Sequence, residues 1–305
     1  MPTPFPIIIG PTAGGKSALA VALSSLANGE VITADSIQIY RGLDIGSAKP
    51  TRDEQQGIPH RLIDLVEPTE AFSVHQWLKL AEKTIAETRA RSHLPIVVGG
   101  THLYVKALLD GLFEGPEVDP ALRETLNARE LPDLRAELER VDPAAAAKIN
   151  AADRRRTVRA LEIFRQTGTP ISVLQAQWDS ERCRRKDAIL VGLEWPVELI
   201  NRRINARVKD MVERGLVAEA RALWEQKRFG TQSREALGYK QLIAHFEGRC
   251  TLDEAIERIK IETRRFAKNQ RTWAKRLKTT PNSVWLDGTK AIGELVSEVL
   301  HATAV

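Results

Sequence analysis

The sequence predicts an α/β protein in which a parallel sheet carrying a phosphate-binding loop (P-loop) is flanked by helices and interrupted by an all-helical insertion domain. Three observations predict it. Apolar, strand-like runs alternate with helical periodicity over the first hundred residues. The first run leads into Gly10-Pro11-Thr12-Ala13-Gly14-Gly15-Lys16-Ser17. After Gly111 the strand texture stops until Ala188.

Ile7 to Ile9, Glu30 to Thr33, Arg61 to Leu65 and Pro95 to Val98 read as buried strands, and Lys16 to Leu26 as the helix after the first. Val74 to Ser92 reads as a helix. Ser73 and Gln76 stand at capping-box spacing, and Val74, Trp77, Leu78, Ala81 and Ile85 form its apolar face. Leu103 to Asp110 follows the fourth strand as another helix.

Pro116, Pro120, Pro132 and Pro143 then punctuate charged, Ala/Leu-rich helical segments up to about Lys186. Strand texture returns at Ala188 to Leu193. Pro196 to Gly215 is bounded by residues suited to a first helical turn and a C-terminal cap, and Val284-Trp285-Leu286 reads as a last short strand. The division expected is a core of residues 1–115 and 188–305 around an insertion of residues 116–187. No internal repeat or low-complexity linker occurs, and residues 179–187 have no assignable role.

With 43% hydrophobic and 28% charged residues, a chain of 305 residues can bury a sizeable core. The start of the chain does not make a signal peptide, and no apolar run approaches a bilayer span, so a cytoplasmic protein without a membrane partner is expected. Cys183 and Cys250 stand far apart without partners at metal spacing, which argues for reduced thiols. His60, His75 and His102 read as packed or solvated for the same reason. A formal net charge of +5 is too mild alone to imply nucleic acid.

Gly10 to Ser17 fits Gly, four residues, Gly-Lys-Ser, between a strand and a helix, the context that gives the pattern its meaning. Gly10, Pro11, Thr12, Ala13, Gly14 and Gly15 form the binding loop, whose glycines let backbone N–H groups face an anion; the helix N-terminus adds its dipole, Lys16 a charge, and Ser17 a hydroxyl within reach of a phosphate-bound Mg²⁺. ATP is the default occupant of such a loop. A nucleotide hydrolase also needs a second apolar strand ending in Asp to hold the metal, yet Pro95 to Val98 runs into Gly99-Gly100-Thr101. The Thr101 hydroxyl can bind phosphate or cap the next helix, and spacing alone favours the cap. Asp35 belongs at the carboxyl edge of the sheet, where it could take a proton, hold Mg²⁺ or stabilise the turn Asp35-Ser36.

Leu252 to Lys278 reads as a helix on which Arg264, Lys268, Arg271, Lys275 and Lys278 form one positive stripe beside an apolar stripe of Ile259, Phe266, Trp273 and Leu277. Arg154-Arg155-Arg156 with Arg159 makes a second cluster, in the insertion. Two basic surfaces around a P-loop core point to a large polyanion; the alternative is a solvated face.

The motifs Gly10 to Ser17, Asp35-Ser36 with Gln38-Ile39-Tyr40, Gly42 to Pro50, Gly99 to Tyr104, Asp153 to Glu162, Arg203 to Val208, Gly238 to Gln241 and Lys268 to Arg276 occur in order, and together they resemble the tRNA dimethylallyltransferases, or tRNA isopentenyltransferases, over nearly the whole chain. The resemblance implies transfer of a dimethylallyl group from dimethylallyl diphosphate to N6 of the adenosine 3′ of the anticodon. It implies Asp35 as general base and Thr101 at the bridging oxygen of the diphosphate. Thr12, Lys16, Ser17 and Arg207 would bind the diphosphate, with Mg²⁺ as cofactor.

It further implies contacts to the tRNA anticodon stem-loop from Asp35, Ser36, Ile37 and Gln38, from Thr101 and Arg123, and from Arg155, Arg156 and Arg159. Arg234, Gly238 and Lys240, with Lys268, Arg271 and Lys275, complete that set. Ser17 stands where many relatives have Thr. Eukaryotic members often carry a C-terminal zinc finger, which this chain does not show, so a bacterial form is expected; a monomer is expected as well. Three competing readings remain: an adenylate isopentenyltransferase, which needs no arginine-bearing insertion; a small-molecule kinase, which would turn over ATP; and an RNA-binding module without chemistry.

Overall fold

A computed structural model describes residues 4–112, 115–176 and 185–303. Its centre is a six-stranded sheet with strand order β3-β2-β4-β1-β5-β6 and every pair parallel. The strands are β1 (Phe5–Ile9), β2 (Gly29–Thr33), β3 (His60–Arg61), β4 (Leu94–Val98), β5 (Ala188–Glu194) and β6 (Ser283–Asp287). All five residues of β1 are buried, as helices on both faces of a parallel sheet require. Ile7 of β1 stands opposite Val97 of β4 and Leu190 of β5, so the turn after β1 emerges between two neighbours at the carboxyl edge.

β3 is shorter than the apolar run Arg61 to Leu65 predicts. Leu62 and Asp64 have φ of 61° and 52°, which no strand accommodates. The chain turns there, and Leu65 N–H donates to Ile39 O at 2.7 Å instead of joining β2.

Helix α1 (Lys16–Ala27) follows β1 directly, and α2 (Arg52–Gln55) is a single turn. α3 (Val74–Ala90) opens on a capping box: Ser73 N–H donates to Gln76 Oε1 at 2.8 Å and Gln76 N–H to Ser73 Oγ at 3.2 Å. It buries Trp77, Ala81, Ile85 and Thr88, whereas Val74 and Leu78 lie on the half-covered flank of that face. Trp77 Nε1 donates to Thr33 O at 2.9 Å and its ring stacks on Tyr104 at 4.6 Å, pinning α3 to the end of β2. Helix α4 (His102–Asp110) follows β4.

By contact clustering the chain forms two compact units, residues 1–108 with 185–305 and residues 109–184. The second holds α5 (Pro120–Asn127), α6 (Leu131–Val141), α7 (Pro143–Lys148), α8 (Arg154–Thr167) and α9 (Ile171–Gln175), and shows no strand among its described residues. Leu126, Leu134, Leu138, Val158, Leu161 and Ile163 make its own core. Buried Asp142 ties three of its pieces, capping α7 through Ala145 N–H at 2.9 Å and accepting from Ser172 Oγ at 2.7 Å. Residues 179–184 of the segment without an assigned role, with Cys183, lie outside the described residues.

In the first unit, α10 (Val197–Glu213) buries Ile200, Ile204, Val208 and Met211 at helical spacing, and α11 (Leu216–Glu225), α12 (Tyr239–Phe246), α13 (Leu252–Leu277) and α14 (Ile292–Thr303) follow. α13 packs differently from the predicted apolar stripe. Its buried residues are Ala255, Ile259, Thr263, Ala267, Gln270, Ala274 and Leu277, while Phe266 is 43% exposed. The face that packs is mostly small side chains, which let α13 approach α10 closely. Ala267 meets Ile200 and Ile204 in a cluster that also touches Ala13 of the loop after β1. No described helix is long and apolar enough to cross a membrane.

At the amino edge of β2, Glu30 is 1% exposed and accepts from Arg61, Arg91 and His93 at 2.8 to 3.0 Å. Burial alone would raise its pKa. The hydrogen bonds from Arg91, Arg61 and His93 outweigh that and bring it from 4.5 to about 2. A depressed carboxyl contributes stability above its unfolded value, and the contribution is lost as pH falls through the folded value. Glu30→Gln is therefore expected to cost roughly 1–3 kcal/mol at neutral pH by denaturant titration. The gap to the unsubstituted protein should narrow between pH 4.5 and about 2; a gap independent of pH would show that the charge is immaterial.

Candidate functional site

Between β1 and α1 the chain turns through Ala13 at φ 61° and Gly15 at φ 83°, a conformation that glycine adopts without strain. The loop's carbonyls are held from behind. Lys16 Nζ donates to Pro11 O at 2.9 Å, Arg203 Nε to Ala13 O at 2.8 Å, and Trp195 Nε1 to Gly14 O at 3.1 Å. Arg203 also lies over the Trp195 ring at 4.7 Å. Thr12 N–H donates to Gln270 Oε1 and Gly14 N–H to Pro11 O, so the unpaired N–H groups of the first turn of α1 are the donors left for an anion.

The cleft there is lined by Thr12, Lys16 and Ser17, by Asp35 and Gln38 after β2, by Val98, Gly99 and Gly100 at the end of β4, and by Arg207 of α10. Gly99 is required by a close approach: a Cβ on it would lie 2.0 Å from Ala34 O, where Ala34 N–H pairs with Val98 O at 2.7 Å. The loops after β2 and β4 are thereby pressed together, and no acid stands at the end of β4. Glu194, at the end of β5, does not line the cleft and pairs with Lys278 at 2.6 Å.

Two cations share this cleft. Burial, and then the charge of Arg207, bring the Lys16 ammonium from 10.5 down to about 8 against the pull of Asp35. Burial lowers Arg207 as well, again opposed by Asp35. Both arginine and lysine are thus held in a place that disfavours their charge until an anion arrives.

Asp35 Oδ1 accepts from Ile37 N–H at 2.9 Å and Gln38 N–H at 3.3 Å, an Asx turn. The turn-stabilising role and a place in the cleft are both realised, one on each side of the carboxylate. Thr101 differs from the capping role that spacing favours. Its hydroxyl accepts from Ser36 N–H at 3.0 Å and donates to Ser36 Oγ at 3.3 Å, because the close approach at Gly99 puts the Asp35-Ser36 turn nearer than the first turn of α4. Gln38 Nε2 donates to Ser47 O and Ala48 O, both at 3.2 Å, which brings the segment from Gly42 to Pro50 to the rim.

Sequence reasoning missed several members of this site. Thr33, Ser47, Ala48, Pro50 and His60 also line the cleft. His60 Nδ1 donates to Ile58 O at 2.9 Å and burial lowers its pKa. Burial and the charge of Lys16 bring His102 down to about 4, and it stacks on Trp273 at 6.1 Å. Glu219 is another: its carboxylate accepts from Asp44, Ile45 and Gly46 N–H at 2.8 to 3.1 Å and from Tyr239 Oη at 2.5 Å, which fixes the rim segment. A lone Glu on a helix carries no motif, so no sequence signal marked it. Gln270 is the other, and it reaches the loop from α13.

The remaining predicted contacts lie apart from the cleft lining. Arg234 pairs with Glu247 at 3.5 Å, Lys240 with Glu235 at 2.6 Å, and Gly238 N–H donates to Gln241 Oε1 at 2.8 Å. Lys268 and Lys275 are exposed on α13; Arg271 is half-buried with Nη1 unpaired, and Arg264 donates to Asn205 Oδ1 at 2.6 Å. The predicted stripe is thus interrupted, since Lys278 is also engaged by Glu194.

Within the insertion, Arg155 and Arg156 are exposed, whereas Arg123 and Arg159 both hold the fully buried Glu162, at 2.6 and 2.8 Å. Arg154 donates to the carbonyls of Asn127 and Arg129. Among the described residues no group of three or more acidic, His or Cys side chains could hold a metal by itself.

Fold and cleft together define a P-loop α/β protein whose anion site lacks the strand-end acid of a nucleotide hydrolase. The family model described as IPP transferase matches residues 38–277, and that of isopentenyl transferase matches residues 5–69. The chain belongs to the IPP transferase family, the enzymes whose curated members are named tRNA dimethylallyltransferases.

Among them, that of Geobacillus kaustophilus is 43% identical over 96% of this chain and 93% of its own, and that of Anaeromyxobacter dehalogenans 46% identical over 92% and 93%. The crystal structure of the tRNA isopentenylpyrophosphate transferase from Bacillus halodurans superposes with a TM-score of 0.73 at 37% identity, covering 99% of this chain and 97% of that one. A eukaryotic dimethylallyltransferase described as acting on tRNA superposes with a TM-score of 0.81 at 29% identity, covering 93% and 73%.

The lowered pKa of Lys16 has a measurable consequence. Affinity for inorganic diphosphate is expected to fall as pH rises through about 8, because the ammonium that meets the anion is then lost. In Lys16→Arg the charge persists. The ratio of the two affinities, by calorimetry from about pH 6.5 to about 9.5, should therefore drop with pH, and a constant ratio would remove Lys16 as the titrating group.

Proposed function

We propose that the protein transfers a dimethylallyl group from dimethylallyl diphosphate to N6 of the adenosine immediately 3′ of the anticodon in tRNA, releasing diphosphate and giving N6-isopentenyladenosine. The observation that carries this reading is the pairing of Lys16 and Arg207 across a cleft that also holds Asp35, with Gly99-Gly100 where a hydrolase has its metal-binding acid. Such a cleft binds a departing diphosphate beside a carboxylate base. It is not built to split a nucleotide.

In the transfer, the N6 lone pair forms a bond to the C1 carbon of the donor while the C1–O bond breaks. The electron pair of that bond leaves on the diphosphate. Lys16 and Arg207, the hydroxyls of Thr12 and Ser17 and the N–H groups of the first turn of α1 meet the growing charge, and they favour the transition state because they stand there beforehand. N6 acquires a positive charge as it bonds, and its proton passes to Asp35. Both turn bonds of Asp35 fall on Oδ1, so Oδ2 is the oxygen to accept it. Thr101, locked to Ser36, holds the Asp35-Ser36 turn against the loop after β4 and offers its hydroxyl to the base or to the bridging oxygen.

The cleft lining holds Ser17 and one carboxylate, Asp35, and among the described residues no cluster of metal-ligating side chains occurs; this suits Mg²⁺, which binds through substrate phosphates, waters and one or two protein oxygens and would be held here by the Ser17 hydroxyl. When bound it would neutralise charge on the diphosphate.

The acceptor is an anticodon loop, whose unpaired bases unstack at moderate cost. Arg155 and Arg156 in the helical unit, and Lys268 and Lys275 on α13, are exposed and each suited to contact phosphates, and Asp35 and Gln38, which flank Ser36 and Ile37 in sequence, line the cleft where the adenine would enter. Arg271, Arg234, Gly238 and Lys240, in the same unit as Lys268 and Lys275, are proposed as further contacts. Arg123 and Arg159 act differently from the simple contacts first expected: they neutralise Glu162, and only their outer faces remain for RNA. The protein would act in the cytoplasm as a monomer.

Incubation with Mg²⁺, dimethylallyl diphosphate and unmodified tRNA should yield N6-prenyl adenosine by nucleoside mass spectrometry; folded protein that binds tRNA yet makes none would overturn the proposal. Asp35→Ala should reduce kcat roughly a hundredfold or more with little change in tRNA affinity. A variant with normal turnover would remove Asp35 from the chemistry. Lys268→Ala combined with Arg271→Ala should weaken tRNA binding and lower its salt slope by about one to two, leaving diphosphate affinity intact. An unchanged slope would mean that α13 carries a solvated face only.

A further inference from the structure

We propose that Gln270 is a positioning residue of the donor site, setting the gap between the two loops that enclose the diphosphate. The proposal rests on the reading of that cleft given above. Gln270 lies on α13, 2% exposed, and both ends of its carboxamide are engaged. Oε1 accepts from Thr12 N–H at 2.7 Å, and Nε2 donates to Gly100 O at 3.1 Å. A backbone N–H can only donate and a carbonyl can only accept, so one orientation of the amide satisfies both loops.

The bridge stands where the sheet stops. β1 and β4 are neighbours, and Gly99 N–H to Ile8 O at 3.2 Å carries their pairing up to the loops. Beyond it, Thr12 and Gly100 diverge around the cleft, and the Gln270 side chain supplies the missing rung. Two effects on an anion follow. The Gly100 carbonyl, a negative dipole end at the cleft wall, is turned to Nε2 and away from the phosphate oxygens. The Thr12 N–H is turned back to Oε1, so the anion is left to the amides that follow it and to Lys16. A shift of about 1 Å in either loop would misplace the leaving group against Asp35, a displacement worth roughly a hundredfold in rate.

Gln270→Leu, which removes both partners, and Gln270→Glu separate this role from simple packing. A protonated Glu reproduces the amide, accepting from Thr12 and donating to Gly100; the carboxylate loses the donor and sets a negative charge beside the diphosphate. The activity of Gln270→Glu relative to the unsubstituted protein should therefore rise as pH falls from about 8 to about 5.5. Lys16, Asp35, His102 and Arg207, the titrating and charged groups of the site, are common to both proteins and cancel in the ratio. Gln270→Leu should bind inorganic diphosphate roughly tenfold or more weakly and lose kcat roughly ten- to a hundredfold, with tRNA affinity unchanged.

A flat pH ratio for Gln270→Glu, or a folded Gln270→Leu that binds diphosphate normally, overturns the proposal. Should Gln270→Leu fail to fold, the pH ratio decides. Diphosphate affinity of the same Glu variant, measured without tRNA over the same pH range, should follow the same trend. It judges Gln270 even if the unsubstituted protein transfers no prenyl group, an outcome that would instead overturn the reading of the reaction.

Discussion

Two like charges, Lys16 and Arg207, are held in one partly desolvated cleft with a single carboxylate to oppose them, and most of the surrounding architecture serves to keep them there. Lys16 is anchored by the Pro11 carbonyl at the N-terminus of α1. Arg207 is presented by a helix whose other face, Ile200 to Met211, is buried. Such an arrangement costs stability in the empty protein, since burial disfavours each charge. It recovers that cost when an anion binds, and it recovers more as the anion gains charge. A site of this kind discriminates between a diphosphate ester and the free diphosphate that leaves, which is the distinction a transferase must make.

The parallel sheet supplies the frame. Placing β1 between β4 and β5 puts three loop systems at one edge: the P-loop, the Gly99-Gly100 turn, and the Trp195 and α10 segment that grips the P-loop carbonyls from behind. The Asp35 turn arrives from β2, on the far side of β4, and the close contact at Gly99 brings it across. The positions of the Asp35 turn and of the P-loop are therefore set by backbone packing before any side chain is chosen.

Much of this was legible in the sequence for a definite reason. Strands buried on both faces read as continuous apolar runs, and a loop that must turn its amides toward phosphate has few alternatives to Gly, Lys and Ser at fixed spacing. The misreadings also share a cause. Arg61 to Leu65 has strand composition, yet Leu62 and Asp64 take left-handed backbone to pair with the segment after Asp35, a tertiary demand no local pattern records. Thr101 sits at a capping position, but its hydroxyl is drawn to a neighbour 65 residues away. Arg159 read as one of a basic cluster, and Arg123 as a contact the resemblance implies; that both neutralise Glu162 is recognisable only after α8 is packed. Glu219 carried no motif at all, and Gln270 lay inside the motif Lys268 to Arg276 without a role of its own. Their roles are to satisfy backbone groups of distant loops, and any sequence neighbourhood permits that.

The small-residue face of α13 bears on how the enzyme can vary. Ala255, Ala267 and Ala274, with Thr263, alternate with the longer Ile259, Gln270 and Leu277 on the buried face, and Ala267 packs in the same cluster as Ala13. At the alanines the approach of the neighbouring helix is set by methyl groups, which have no rotamers to absorb an error. The opposite face of the helix is under no such restriction. If, as proposed above, the outward side meets tRNA, substitutions that tune that affinity can accumulate there while the inward side acts as a fixed spacer. Recognition and chemistry can then diverge at different rates along a single rod of 26 residues.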